Sequence, residues 1–188
     1  MVVATGFFDG VHLGHRLVLE RLVAAARDRG DESMVVTFWP HPRNVLQDDA
    51  RNLRLLTTLS EKKELISAIG VDRVDVLPFT RAFSRLSTRE YLEEYIKGRF
   101  GGKAILLGYD NRIGGDLLGP DEIEMVAREV GLDVIRTGSL GIPGGTVVSS
   151  TKIREAVNSG NVEAAAGMLG YRYSLTGVVV AGNHLGRT

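Results

Sequence analysis

Short apolar runs alternate with amphipathic helical patterns from the N-terminus of this chain to Arg136. Strands that are separated by helices in this way form βαβ units and pair in parallel, which buries both faces of the sheet. We therefore expect an α/β fold with a mostly parallel sheet. The apolar runs predict five strands, at Val2–Phe7, Met34–Phe38, Val74–Leu77, Ala104–Leu107 and Asp133–Arg136.

The patterns between these runs carry start and stop signals for helices. Thr58 with Glu61 and Ser87 with Glu90 are capping boxes, and Pro120 suits the first turn of another helix. A last apolar stretch, 173–180, predicts a strand of a different kind, with no helix after it. The predicted helices are Gly14–Arg29, Thr58–Gly70, Ser87–Lys97, Pro120–Val130, Ser149–Asn158 and Asn161–Leu169.

Composition restricts the function. The 188 residues correspond to one domain, or to one domain and a fragment, and 23 basic side chains balance 23 acidic ones. Without a basic surplus we expect no nucleic-acid or membrane partner, although a local patch can still bind a small phosphorylated ligand. The absence of cysteine excludes disulfides, thiolate catalysis and cysteine-ligated zinc. No signal peptide or apolar run of membrane-spanning length is present, so we expect a soluble, cytoplasmic protein.

The segment between the first strand and the first helix is a candidate phosphate site. His12 and His15 stand three residues apart at a helix start, where free backbone N–H groups and the helix dipole favour an anion. A shared metal ion and simple packing or capping are the alternatives, although zinc usually takes three or four protein ligands. No GxxxxGK[ST] or GxGxxG motif is present, so a phosphate would need another type of cradle. Three glycines permit close backbone approach there: Gly6, Gly10 and Gly14.

A second cluster of polar residues opens a later helix. Three hydroxyl residues, 149–151, begin this helix, and Lys152 and Arg154 lie in its first turn. One hydroxyl is enough to cap a helix, and cations are unfavourable at the positive end of its dipole. A bound anion would resolve that conflict, and Arg154 suits a bidentate hold on a polyphosphate. We therefore predict a second phosphate-binding element, with plain capping as the alternative.

Two more loops follow predicted strands, so they should lie at the same edge of the sheet as the histidine pair. In the first, Pro40 and Pro42 fix the path of a rigid loop that presents His41. The second begins at Gly108, offers Asp110 and Arg112 as polar groups, and is predicted to be flexible because of the glycines that follow.

Together these segments resemble a known family. GFFDGVHLGH carries the HxGH signature of the nucleotidyltransferase superfamily, and VSSTKIR resembles its second motif. With VTFWPHP, LGYDNRIG and YSLTGVVVAGNHLGRT in order, the chain resembles the bacterial bifunctional riboflavin kinase/FAD synthetase family over nearly its whole length. The resemblance implies a Rossmann-like nucleotidyltransferase α/β/α sandwich over residues 1–170, the FMN adenylyltransferase domain. It also implies that residues 171–188 are the truncated start of a riboflavin kinase β-barrel domain.

The resemblance further implies a reaction in which MgATP and FMN give FAD and pyrophosphate. His12, His15 and Arg154 would be catalytic, with the histidines on the ATP phosphates. Arg154 would hold the β- and γ-phosphates together with Ser150 and Thr151. The other ATP-binding residues would be Gly6, Phe7, Phe8, Asp9, Gly10, Gly108, Asp110, Arg112 and Ser149, and the flavin side would be bordered by Pro40, His41 and Pro42.

The chain departs from the family pattern in two places. Phe7 stands where the family usually has Asn, and Asn111 and Ile113 stand where aromatic residues are common. The chain stops before the kinase substrate motif, so we expect no phosphorylation of riboflavin, with a riboflavin kinase domain as the partner in the full-length protein. A different small-molecule nucleotidyltransferase, or a non-catalytic flavin- or nucleotide-binding module, is the alternative hypothesis.

Overall fold

The structure is a computed structural model that describes residues 1–47, 53–108, 112–137 and 148–182. The strands in these ranges are β1 (Val2–Thr5), β2 (Ser33–Trp39), β3 (Arg73–Pro78), β4 (Ala104–Leu107) and β5 (Asp133–Arg136). They form one sheet in the order β3-β2-β1-β4-β5, and every neighbouring pair is parallel. The predicted α/β fold with a parallel sheet is confirmed.

The helices also begin close to their predicted capping residues. They are α1 (Leu13–Asp28), α2 (Pro42–Leu46), α3 (Leu59–Ala68), α4 (Thr88–Glu90), α5 (Pro120–Val130), α6 (Ser150–Asn158) and α7 (Val162–Leu169). α4 continues directly into a π-helix over Tyr91–Arg99. Both capping boxes form. The hydroxyls of Thr58 and Ser87 accept the backbone N–H groups of Glu61 and Glu90, and the backbone N–H groups of Thr58 and Ser87 donate to the carboxylates of these glutamates.

Helices cover both faces of the sheet. Successive side chains of a strand point to opposite faces, and neighbouring residues of β1 show this directly. Val3 packs into a core with the π-helix and α5, whereas Val2 packs into a core with α1 and α3. The predicted three-layer sandwich is therefore confirmed.

A third, smaller apolar cluster lies between α6, α7 and Leu56. Gly170 ends α7 with φ +79°, and a Cβ there would lie 2.5 Å from the side chain of Leu13. The end of α7 therefore packs tightly against the start of α1, which brings the last helices to the carboxyl end of β1.

Three local predictions need correction. β1 ends at Thr5 rather than Phe7, because the chain turns into the left-handed region at Phe8 (φ 53°). Pro42 does not belong to the rigid loop predicted after β2, since it is the first residue of the short helix α2. Residues 173–180 form no strand: no strand in the described ranges pairs with them, and their apolar side chains are exposed, as at Val179 (97%). An isolated strand leaves its backbone groups unpaired, so apolar β-branched residues alone do not make one.

Among the described residues, no helix is long and apolar enough to cross a membrane.

Candidate active site

The strand order reverses next to β1, and parallel α/β sheets bind ligands outside the carboxyl ends of their strands at such a point. The loop 6–12 leaves β1 at this end and leads into α1. The loop after β2 meets it there, because the rings of Phe7 and His41 lie edge to face with centroids 4.0 Å apart. The prediction that these two loops share one edge of the sheet is confirmed.

His12 and His15 form a stacked pair at the start of α1. Their ring centroids are 3.6 Å apart and their planes differ by 15°. His12 is the N-cap, since its Nδ1 accepts the backbone N–H of His15 at 3.3 Å. A neutral His12 therefore carries its proton on Nε2. The pair lies where the helix dipole attracts an anion, with imidazole N–H groups to donate.

His15 is an uncharged member of this pair near neutral pH. Burial lowers its pKa well below the usual value, and the nearby His12 and Lys62 lower the pKa further. Its Nδ1 is buried and makes no hydrogen bond within the described residues. Because a buried polar atom without a partner costs free energy, this nitrogen is a candidate contact for a ligand.

Tight packing shapes the loop ahead of the histidines. A Cβ at Gly6 would lie 2.9 Å from the ring of Phe8, and a Cβ at Gly10 (φ +76°) would lie 2.7 Å from Leu56. Phe8 is itself buried in the core beside α1. The ring of Phe8 is thus part of the core. The ATP contact that the resemblance implies for Phe8 would therefore be made by its backbone.

Asp9 connects the two predicted phosphate-binding elements. Its carboxylate pairs with Arg154 (Oδ2 to Nη2, 3.0 Å), and its carbonyl accepts the Oγ hydroxyl of Ser150 at 3.0 Å. The same carboxylate accepts the N–H groups of Leu56 (3.0 Å) and Thr57 (3.3 Å). The Asp9 side chain is 3% exposed, so one buried carboxylate joins three distant segments. The structure brings the two motifs together as predicted, but through Asp9.

The first turn of α6 has distinct uses for its polar groups. Ser149 is the N-cap, accepting the N–H of Lys152 at 3.3 Å, and Ser150 is bonded to Asp9. Thr151 is exposed. Nε of Arg154 is buried and has no hydrogen-bond partner among the described residues, although its Nη2 holds Asp9. Thr151 and this Nε can therefore donate to an anion while Ser149, Ser150 and Nη2 keep their hydrogen bonds.

The flavin-side loop predicted from the resemblance is held by its own backbone. His41 caps α2, since its Nδ1 accepts the N–H of Arg43 at 3.0 Å. Pro40 follows a cis peptide bond, and Pro42 is the first residue of the helix. Burial lowers the pKa of His41 to about 4, so this imidazole is neutral at pH 7.

The loop after β4 is described in part. Gly108 is buried at the end of the strand, Arg112 is exposed, and Asp110 lies outside the described residues. Residues 113–116 contact the start of α4, because Thr88 Oγ1 donates to the carbonyl of Ile113 at 2.7 Å and also contacts the Asp116 carboxylate. The glycines there, 114 and 115, provide close approach to α4 and the segment before it.

Lys62 lies beside the site although no motif marks it. Its side chain is buried, and its Nζ donates to the carbonyl of Phe7 (3.0 Å) and the hydroxyl of Thr37 (3.1 Å). Burial lowers its pKa to about 8, against the opposite effect of Asp9. Its sequence signal is weak: it precedes the core residue Ile66 by four positions, on the same face of α3.

The parallel α/β sheet carries an HxGH loop directly after its first strand, at the end where such sheets bind ligands. The FAD synthetase family matches residues 1–152, and the chain therefore belongs to the FAD synthetase family. The bifunctional riboflavin kinase/FMN adenylyltransferases of Listeria monocytogenes and Escherichia coli are each 34% identical to it, over 188 and 191 residues. These alignments cover 100% of this chain and 59% of each relative, so the chain spans less than two thirds of their length.

A solved structure from Streptococcus pneumoniae, described as a macrolide-efflux protein, superposes with a TM-score of 0.82 at 29% identity. The superposition covers 92% of this chain and 65% of that chain. The similarity extends over nearly the whole chain, and the efflux description belongs to the other protein.

Proposed function

We propose that this chain is an FMN adenylyltransferase, which transfers AMP from MgATP to FMN and yields FAD and pyrophosphate. Membership of the FAD synthetase family supports this activity. The observation that carries it is the junction at Asp9, which holds the start of α6 against the loop that bears the histidine pair. Two helix N-termini thereby face the region where a triphosphate would lie.

The reaction needs positioning and charge stabilisation more than proton transfer. A phosphate oxygen of FMN forms a bond to the α-phosphorus of ATP while the bond from that phosphorus to the bridging oxygen of pyrophosphate breaks. The attacking phosphate is already an anion, so no general base is required. The protein must hold the two substrates in line and stabilise the equatorial and leaving oxygens.

The residues divide between these two tasks. His12 and His15 would donate ring N–H groups to the α-phosphate oxygens. Thr151 and Arg154 would bind the departing pyrophosphate with Ser150. A guanidinium has five N–H donors, so Arg154 can keep Asp9 on Nη2 while Nε donates to a phosphate.

The surrounding loops would complete the two substrate sites. Gly6 and Gly108 directly follow β1 and β4, where adenosine would bind, and the loop 40–42 would border the flavin. The contact between Phe7 and His41 supports this arrangement, since it puts the flavin-side loop directly beside the nucleotide loop.

Mg²⁺ would enter with ATP and would neutralise charge on the triphosphate. In the described residues no group of three or more His, Asp and Glu side chains is suited to hold a metal ion. Asp9 is already bonded to Arg154 and to two backbone N–H groups. These residues do not fit a metal held by the protein, and Mg²⁺ commonly binds through substrate phosphates and water instead.

We also propose that residues 1–170 form the transferase domain and that 171–188 belong to the riboflavin kinase domain of the longer relatives. The third apolar cluster reaches Leu169, and the residues described after Gly170 form no helix or strand. Tyr171 nevertheless contacts the site, since its hydroxyl donates to the carbonyl of Gly10 at 2.7 Å.

The decisive assay incubates the protein with FMN and MgATP and measures FAD by chromatography and pyrophosphate by a coupled reaction. Both products should appear in equal amounts, and leaving out FMN should abolish both. Pyrophosphate formed with CTP or another acceptor, but not with ATP and FMN, would indicate a different nucleotidyltransferase. Binding of both substrates without products would indicate a binding module.

A further inference from the structure

Lys62 contributes a buried ammonium group at the carboxyl end of β1. Its side chain is 2% exposed, and three partners surround Nζ. They are the carbonyl of Phe7 at 3.0 Å, the hydroxyl of Thr37 at 3.1 Å and the ring of Phe7, whose centroid is 3.8 Å away. Thr37 Oγ1 also donates to the Phe7 carbonyl at 3.1 Å. Lys62 thereby ties α3 to β2 and to the first residues of the histidine loop.

Packing alone does not account for a charge at this position. Burying an ammonium group costs several kcal/mol, and an apolar side chain of similar length would avoid that cost. No salt bridge to Lys62 occurs within the described residues. Asp9, the acidic group whose field reaches it, is paired with Arg154.

The charge acts on the imidazoles of the site. The charged and titratable groups that face Lys62 are Asp9 in the histidine loop, His15 on α1 and His41 at the start of α2, with Arg154 of α6 behind Asp9. Lys62 lowers the pKa values of both His15 and His41, as a second-order effect after burial. The positive charge of Lys62 therefore helps to keep both imidazoles uncharged.

We propose that Lys62 is a positioning residue for adenylyl transfer: its ammonium group fixes the Phe7 carbonyl, and with it the loop that leads to His12 and His15, in the conformation that receives the ATP phosphates. The role of Lys62 in catalysis rests on the proposed function, FAD formation. Its effect on the histidines does not, because the contacts and the field exist without substrate.

A pH dependence follows from this arrangement. Lys62 loses its proton as the pH rises through about 8. The neutral amine makes weaker hydrogen bonds and loses its attraction to the ring of Phe7. The loop is then held less firmly, so turnover should fall on the alkaline side of pH 8 while the fold persists.

The experiment compares Lys62→Met with Lys63→Met, which removes an exposed ammonium group one residue away on the same helix. Histidine ring signals are followed by NMR as the pH is varied, and FAD formation is measured in parallel. Lys62→Met should raise the pKa of His15, because a nearby positive charge is gone, and should lower kcat about 10- to 100-fold with a smaller rise in the KM for ATP. Lys63→Met should leave both unchanged.

Thr37→Val provides the second test and serves if Lys62→Met does not fold. It removes an oxygen that accepts from the ammonium group, so the pKa of Lys62 falls and the alkaline loss of turnover moves to lower pH. Unchanged histidine titration in Lys62→Met, equal changes in Lys63→Met, or an unmoved alkaline limb in Thr37→Val would each overturn the proposal. If the unmodified protein makes no FAD, the proposed function fails, and the histidine titration of Lys62→Met still decides whether the ammonium group acts on His15.

Discussion

The N-termini of α1 and α6 meet at the site, but they are prepared for a ligand in different ways. At α1 the capping group is itself an imidazole, and the second imidazole has a buried Nδ1 with no partner in the described residues. At α6 the capping group is Ser149, and Arg154 is already paired with Asp9 through Nη2, although its Nε has no partner in the described residues. An anion at α1 therefore meets an imidazole that no carboxylate holds, whereas an anion at α6 shares a guanidinium with a carboxylate.

Because of this difference, substitutions at the two N-termini should affect turnover and stability to different extents. Changes at the histidines should reduce turnover and leave the fold nearly intact. Changes at Arg154 should affect both, because its partner is a buried carboxylate that also orders the loop before α1. Each of the following predictions can contradict or refine this contrast.

Arg154→Met should have the largest effect on stability. The guanidinium and the Asp9 carboxylate are 14% and 3% exposed, and breaking such a pair costs about 3–5 kcal/mol because a charge stays buried without its partner. Urea unfolding measures the loss. The double variant Arg154→Met, Asp9→Asn should recover part of the stability but none of the FAD formation. An unchanged unfolding free energy in Arg154→Met would remove the distinction between the two N-termini.

His15→Ala should lower kcat for FAD formation about 100- to 1000-fold, the usual loss when one donor to a developing oxyanion is removed. FMN binding and the melting temperature should change little, because the side chain makes few polar contacts within the protein. Steady-state kinetics and calorimetric titration with FMN test this. Loss of FMN affinity by the same factor as turnover would instead indicate a structural histidine.

Mild acid should destabilise the fold through the neutral imidazoles. The pKa of His41 is about 4 in the folded state and that of His15 is also lowered, whereas an unfolded histidine titrates near 6.5. Below pH 6.5 the unfolded chain therefore binds more protons than the folded one, and stability falls as the pH falls towards 4. Urea midpoints at pH 7 and pH 5 measure this, and His41→Gln should show a smaller decrease between them. An equal decrease would exclude His41 as a cause.

Ser149→Ala should have the smallest effect. It removes the acceptor for the N–H of Lys152, and loss of an N-cap hydroxyl costs about 1 kcal/mol. The kcat for FAD formation should change little, since the hydroxyl of Ser149 already accepts the N–H of Lys152. A marked loss of kcat at full stability would assign Ser149 to the phosphate site.

Local patterns were sufficient for most of the fold. The capping boxes at Thr58 and Ser87 depend on side chains three residues apart, so the sequence alone locates them. The same holds for the start of α5 at Pro120. The strand predicted at 173–180 failed for the opposite reason, because a strand depends on a partner that its own residues do not specify.

The motifs of the site could be predicted from the sequence, but the contacts that join them could not. The HxGH loop and the α6 motif are local, and their helix-start positions follow from sequence. The choice of Asp9 as their link depends on contacts across most of the chain. The sequence does not predict the place of Lys62, because lysine is usually exposed. The burial of Lys62 requires Phe7 and Thr37 to come together in space.

The junction at Asp9 also has a consequence for the order of folding. Ser150 and Arg154 reach Asp9 across 141 and 145 positions, and Tyr171 reaches Gly10 across 161. Contacts between such distant residues carry a large loop-closure cost and tend to form late. During synthesis β5 is complete at Arg136, well before α6 and α7 leave the ribosome. We expect a chain truncated after Arg136 to retain strand signals in circular dichroism and to lack ATP binding, so that a nascent protein acquires its sheet first and its enzymatic competence last.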